Sequence, residues 1–125
     1  YIGSAFIATE EARAAEGYKQ MIVDSDSDDI VYSNLFTGVH GNYLAPSIRN
    51  AGLDPANLPE SDPSKMNFGN VDGGGAKKAW KDIWGCGQGI GAVDKIQSTH
   101  DFVAKLKREY NAARQRLGLP VLATV

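Results

Sequence analysis

Apolar side chains open the chain and then settle into helical spacing. Tyr1-Ile2-Gly3-Ser4-Ala5-Phe6-Ile7-Ala8 is an almost unbroken apolar run, and it reads as a strand already under way at the first residue. Such a strand at a free end leaves its backbone donors and acceptors without partners unless a sheet receives them, so the run predicts a cut from a longer protein. Thr9 then offers an N-cap, with Glu10 and Glu11 in the first turn of a helix. Ala12, Ala15, Tyr18, Met21 and Ile22 carry the helical period, and the acidic group Asp24, Asp26, Asp28 and Asp29 ends it near Val23. Ile30 to Phe36, rich in branched and aromatic residues, predicts a strand or extended segment. Thr37-Gly38 and Gly41-Asn42 predict a loop after it.

Farther on, Pro46 opens a short helix through Asn50 that Gly52 terminates. Pro55, Pro59 and Pro63 mark a stretch with little regular structure, and Gly73-Gly74-Gly75 a flexible joint. Ala76, Ala79, Trp80, Ile83, Trp84 and Gly87 keep helical spacing, which puts Trp84 and Gln88 on one helix face. The last helix has the clearest signals. Ser98 with Asp101 resembles a capping box, while Phe102, Val103, Leu106, Tyr110, Ala113 and Leu117 form one apolar stripe. Gly118 and Pro120 stop it.

Composition narrows the function classes. The 125 residues suffice for one modest domain, and 13 basic against 15 acidic residues give no electrostatic case for nucleic acid. No apolar run approaches membrane-spanning length, so no membrane partner is expected. A single cysteine forms no internal disulfide, which makes a cytoplasmic setting the expectation.

Three motifs invite chemistry and lose it on inspection. Asp24-Ser25-Asp26-Ser27-Asp28 opens like a calcium loop, but Asp29 stands where the turn needs glycine and Leu35 where the bidentate glutamate belongs. A solvated acidic turn is the better reading, and no metal site is expected. Gly87-Gln88-Gly89-Ile90-Gly91-Ala92 fits a dinucleotide fingerprint, yet the segment before it reads as helix instead of the required strand. Cys86 has no histidine near it in sequence and reads as a small buried apolar residue. His40, in a glycine-flanked loop, is a better ligand-facing candidate than His100 behind a helix cap.

Four ordered segments carry a resemblance. Tyr1 to Glu11 is similar to a Q-M-G-T-R-F-x-A-T-x-E stretch. Tyr18-Lys19-Gln20 running into Asp29 to Gly38 follows, and then Asn42-Tyr43-Leu44, Pro46-Ser47-Ile48 and Ala51 to Pro55. Trp80 to Gly91 is similar to W-x-x-I-W-x-A-G-Q-G-V-G. Together they resemble the 2-nitropropane dioxygenase (nitronate monooxygenase) family of FMN-dependent enzymes.

The resemblance implies an α/β protein. Residues 1–25 would hold the last strand of a (β/α)8 TIM barrel and the following helix, 26–93 a small loop-rich helical domain, and 94–125 the C-terminal helix and tail. It implies FMN as cofactor, a small-molecule substrate, and an N-terminal barrel segment of the same protein as partner. Gly3 and Ser4 match the Gly-Thr that grips the FMN phosphate, where glycine admits close backbone approach and N–H groups with a hydroxyl serve a dianion. Tyr1 and Ile2 align just before them, with Tyr1 departing from the family's glutamine. Trp84, Gly87 and Gln88 would lie near the isoalloxazine. The family's catalytic histidine belongs upstream of Tyr1, so no catalytic residue is assigned here. The implied activity is oxidation of nitronates or nitroalkanes. The alternatives are a flavin-dependent enoyl thioester or quinone reductase, or a helical interaction module without cofactor.

Overall fold

The computed structural model describes residues 2–61 and 82–121. Its elements are α1 (Gly3–Ile7), α2 (Glu16–Val23), β1 (Ile30–Ser33), β2 (Gly41–Leu44), α3 (Ala45–Asn50) and α4 (Thr99–Arg116), with short 3-10 turns at Ser27–Asp29 and Gln88–Ala92.

The long helix forms where its local signals put it. Ser98 Oγ accepts the Asp101 N–H at 3.1 Å, and the Glu11 carboxylate accepts both the N–H and the hydroxyl of Thr99. Those bonds satisfy orphan donors of the first turn, and they hold the Glu11 carboxyl below its ordinary range. Arg114 and Arg116 lie in the last turn of α4, and Gly118 leaves it at φ +69°. Pro46 lies in the first turn of α3, and Gly52 at φ +82° follows its end.

Three local expectations are corrected. The opening apolar run is helical from Gly3 to Ile7, where a strand was expected; Tyr1 lies outside the described residues. A short apolar run fits either state, and here burial of its end decides, with Ala8 in the core and Phe6 edge-on to Phe102 at 4.9 Å. Thr9 does not cap α2. Its hydroxyl donates to the Phe6 carbonyl at 2.8 Å, its backbone bridges to Gln97, and the helix starts seven residues on behind Ala15. Gly41-Asn42, expected in a loop, begins β2, which pairs antiparallel with β1 in the register Ile30↔Leu44 to Ser33↔Gly41. The reversal falls earlier, at Gly38 with φ +73°.

The apolar core is shared by distant segments. Ala8, Ile22, Leu44, Cys86 and Ile90 form one buried cluster, with Ile7, Tyr18, Met21 and Trp84 packed against it. Lys19 lays its stem into this body and keeps its amine satisfied, 3.1 Å from Glu16 and 3.3 Å from the Glu10 carbonyl.

Ser47 ties the core to the chain beyond Asp82. Fully buried, it donates to the Leu44 carbonyl at 2.7 Å and accepts the Trp84 N–H at 3.0 Å. Replacing Ser47 with alanine removes both bonds, so unfolding free energy should fall by about 1–3 kcal/mol in a denaturant titration. A loss within the scatter of surface substitutions would mean the hydroxyl does not hold the two segments together.

Candidate functional site

Two segments far apart in sequence meet at the surface. Ile2, Gly3 and Ser4 stand at the start of α1, whose first turn has no side-chain cap. Trp84 to Gln88 runs past them, and the Gly87 N–H donates to Ser4 Oγ at 2.7 Å. With its oxygen accepting from Gly87, the Ser4 hydroxyl keeps its own hydrogen to donate. Ile2, Gly3, Gly87 and Gln88 are exposed around this contact. With the Gly87 N–H given to Ser4, the donors that suit an anion here are the Ser4 hydroxyl and the uncapped first-turn N–H groups of α1.

The second segment is not helical as expected. Much of the span from Ala76 to Gly87 lies outside the described residues, but Trp84 to Cys86 is extended along β2. Leu44 N–H donates to the Trp84 carbonyl at 2.8 Å and Cys86 N–H to the Asn42 carbonyl at 3.2 Å. Gly85 bridges Tyr43 antiparallel between those bonds. An added Cβ at Gly85 would stand 3.2 Å from the Asn42 carbonyl oxygen, so the strand stub needs glycine for its close approach. Trp84 and Gln88 therefore do not share a helix face. Trp84 stacks on Tyr18, ring centres 5.1 Å apart and 15° from parallel, while Gln88 opens the 3-10 turn and faces solvent. The dinucleotide-like glycines of 87–92 form that turn, with Ile90 buried and Gly87 at Ser4.

Sequence reasoning missed the anchors of this segment. Tyr18 donates its hydroxyl to the Gly85 carbonyl, and Ser47 accepts from Trp84. Their separations of 67 and 37 residues leave no local signal.

The other candidates lie elsewhere. Cys86 is buried in the core, and burial pushes its thiol up to about 11. At pH 8 the folded chain should therefore be alkylated at least about a hundredfold more slowly than the unfolded chain, because the thiolate is the reacting form. Comparable rates in a labelling time course would contradict the burial. His40 stacks on Tyr32 at 4.7 Å and lines a cleft of about 240 Å³ with Asn34, Pro55, Leu58 and Glu60. His100 is exposed, 3.3 Å from the Asp101 carboxylate. In the acidic turn, Asp26 accepts the Asp28 N–H and Asp29 accepts the Asp26 N–H, so both side chains serve the backbone. No group of three candidate metal ligands occurs among the described residues, and none of their helices is long and apolar enough to cross a membrane.

In comparisons with protein-family models, curated proteins and solved structures, nothing matches this chain.

Proposed function

We propose that this chain is the C-terminal portion of an FMN-dependent oxidoreductase that oxidises nitronates or nitroalkanes, built on a (β/α)8 barrel with a small helical domain. The observation that carries the reading is the Gly87 N–H to Ser4 Oγ contact. It joins two of the resembling segments, 83 residues apart, through residues the resemblance assigns to flavin. Nothing in their sequence separation requires that meeting. Gly3 and Ser4 would face the FMN phosphate, with Ile2 before them and Tyr1 the residue that departs from the family pattern. Gly87 and Gln88 would lie toward the ring, while Trp84, stacked on Tyr18, would support the segment from behind. The flavin would supply electron transfer and oxygen chemistry, and the protein would bind, orient and shield it. A cytoplasmic setting belongs to the same reading, as does a preceding barrel segment that completes the pocket and brings the catalytic histidine.

The test is spectroscopic. The longer protein that contains this chain should purify yellow and release FMN on denaturation. The 125-residue chain alone should bind FMN weakly or not at all, because it offers one phosphate-binding stretch and no barrel. A colourless, folded parent that takes up no FMN would remove the proposal, and micromolar binding by the chain alone would make it an independent flavin domain. The reductase alternative shares the flavin and is separated by turnover of enoyl thioesters or quinones with a nicotinamide donor. A helical interaction module has one observation in its favour. Val103 and Tyr110 on α4 and Leu117 at its C-cap recur every seven residues and are 41%, 52% and 75% exposed. A parent without flavin would point there.

A further inference from the structure

The strand stub from Trp84 to Gly87 is held group by group. Trp84 N–H goes to Ser47, the Trp84 carbonyl to Leu44, Cys86 N–H to Asn42 and Gly87 N–H to Ser4. Because the neighbours of Gly85 use their groups toward β2, the Gly85 carbonyl points the other way. There it accepts the Tyr18 hydroxyl from α2. The same Tyr18 ring stacks on Trp84, and Gly17 beside it lies against the far edge of that indole. Without such a hold, a backbone with glycine at 85 and 87 has wide conformational freedom.

We propose that Tyr18 is a positioning residue of the flavin site, which keeps the Gly87 N–H on the Ser4 hydroxyl by fixing the Gly85 carbonyl and the Trp84 ring. The inference rests on the flavin reading above and adds to it a residue far from the cofactor stretch in sequence. Its chemistry fits the task. A phenol is a donor through neutral pH, and burial, with the neighbouring Cys86, raises the Tyr18 hydroxyl further above its ordinary range. A tyrosine that merely fills the core would act through its ring alone, and phenylalanine would replace it without consequence.

Tyr18→Phe keeps the ring and removes the donor. In this chain, amide exchange at Gly87 should quicken about five- to tenfold, the effect of losing one ordinary hydrogen bond nearby, while the Ile22 and Ile90 amides keep their rates relative to global unfolding. In the parent, FMN affinity followed by flavin fluorescence should fall by a similar factor. Ile22→Val, a core change of comparable cost to stability, should alter neither readout. Unchanged Gly87 exchange in Tyr18→Phe would overturn the hold on the stub. Faster exchange with undiminished FMN affinity would overturn its role at the flavin. A wild-type parent that binds no FMN would instead overturn the flavin reading itself, and the exchange measurement would still decide whether Tyr18 holds Gly87.

Discussion

Leu44→Ala is expected to lower the unfolding free energy by about 2–5 kcal/mol. Leu44 is fully buried and sits in the cluster with Ala8, Ile22, Cys86 and Ile90. Alanine would remove three carbon atoms from a site fed by four separate stretches of chain, and those stretches cannot all close over the gap. Position adds to the cost. Leu44 ends β2, pairs with Ile30, and donates its N–H to the Trp84 carbonyl, so a shift to fill the cavity would strain two backbone connections. Urea titration should show a lower midpoint with an unchanged slope, since the folded surface is kept. Ile22→Val, trimming one methylene in the same cluster, should cost about 0.5–1.5 kcal/mol. A Leu44→Ala loss below that of Ile22→Val would mean that β2 is not built into this core.

The second large effect concerns flavin. Gly3→Val in the parent should weaken FMN binding by at least about tenfold, the loss of one or two charge-assisted hydrogen bonds. The structure sharpens the test. A Cβ added at Gly3 meets no atom within 4 Å, so tight packing is not what requires glycine there. Gly3 is also helical, where valine is a few tenths of a kcal/mol better than glycine. The melting temperature should therefore hold or rise slightly while flavin is lost. Retention of stoichiometric FMN at near-normal affinity would detach Gly3 from the phosphate. A large drop in melting temperature would show that other parts of the parent pack on this position.

What the sequence determined by itself is what neighbours along the chain can decide. Helix α4 was legible because Ser98, Gly118 and Pro120 act within a turn of its ends, and α3 because Pro46 and Gly52 do the same. The end of α2 followed from the aspartates beyond Val23, whose charge disfavours the negative pole of a helix. The candidate site was legible only as motifs, with Ser4 and Gly87 named but their meeting unforeseen. Tertiary structure decided the rest. It made Gly3–Ile7 helical, because in that form Phe6 packs edge-on against Phe102 and Ala8 enters the core. It turned Gly41-Asn42 from loop to strand, because β1 supplies the ladder and no local propensity does. It extended Trp84 to Cys86 beside β2, because Ser47, Asn42 and Tyr18 satisfy that backbone from distances in sequence no periodicity records. A hydrogen bond or apolar contact between remote residues stabilises a conformation only once the chain has closed the loop between them, and that closure belongs to the folded whole.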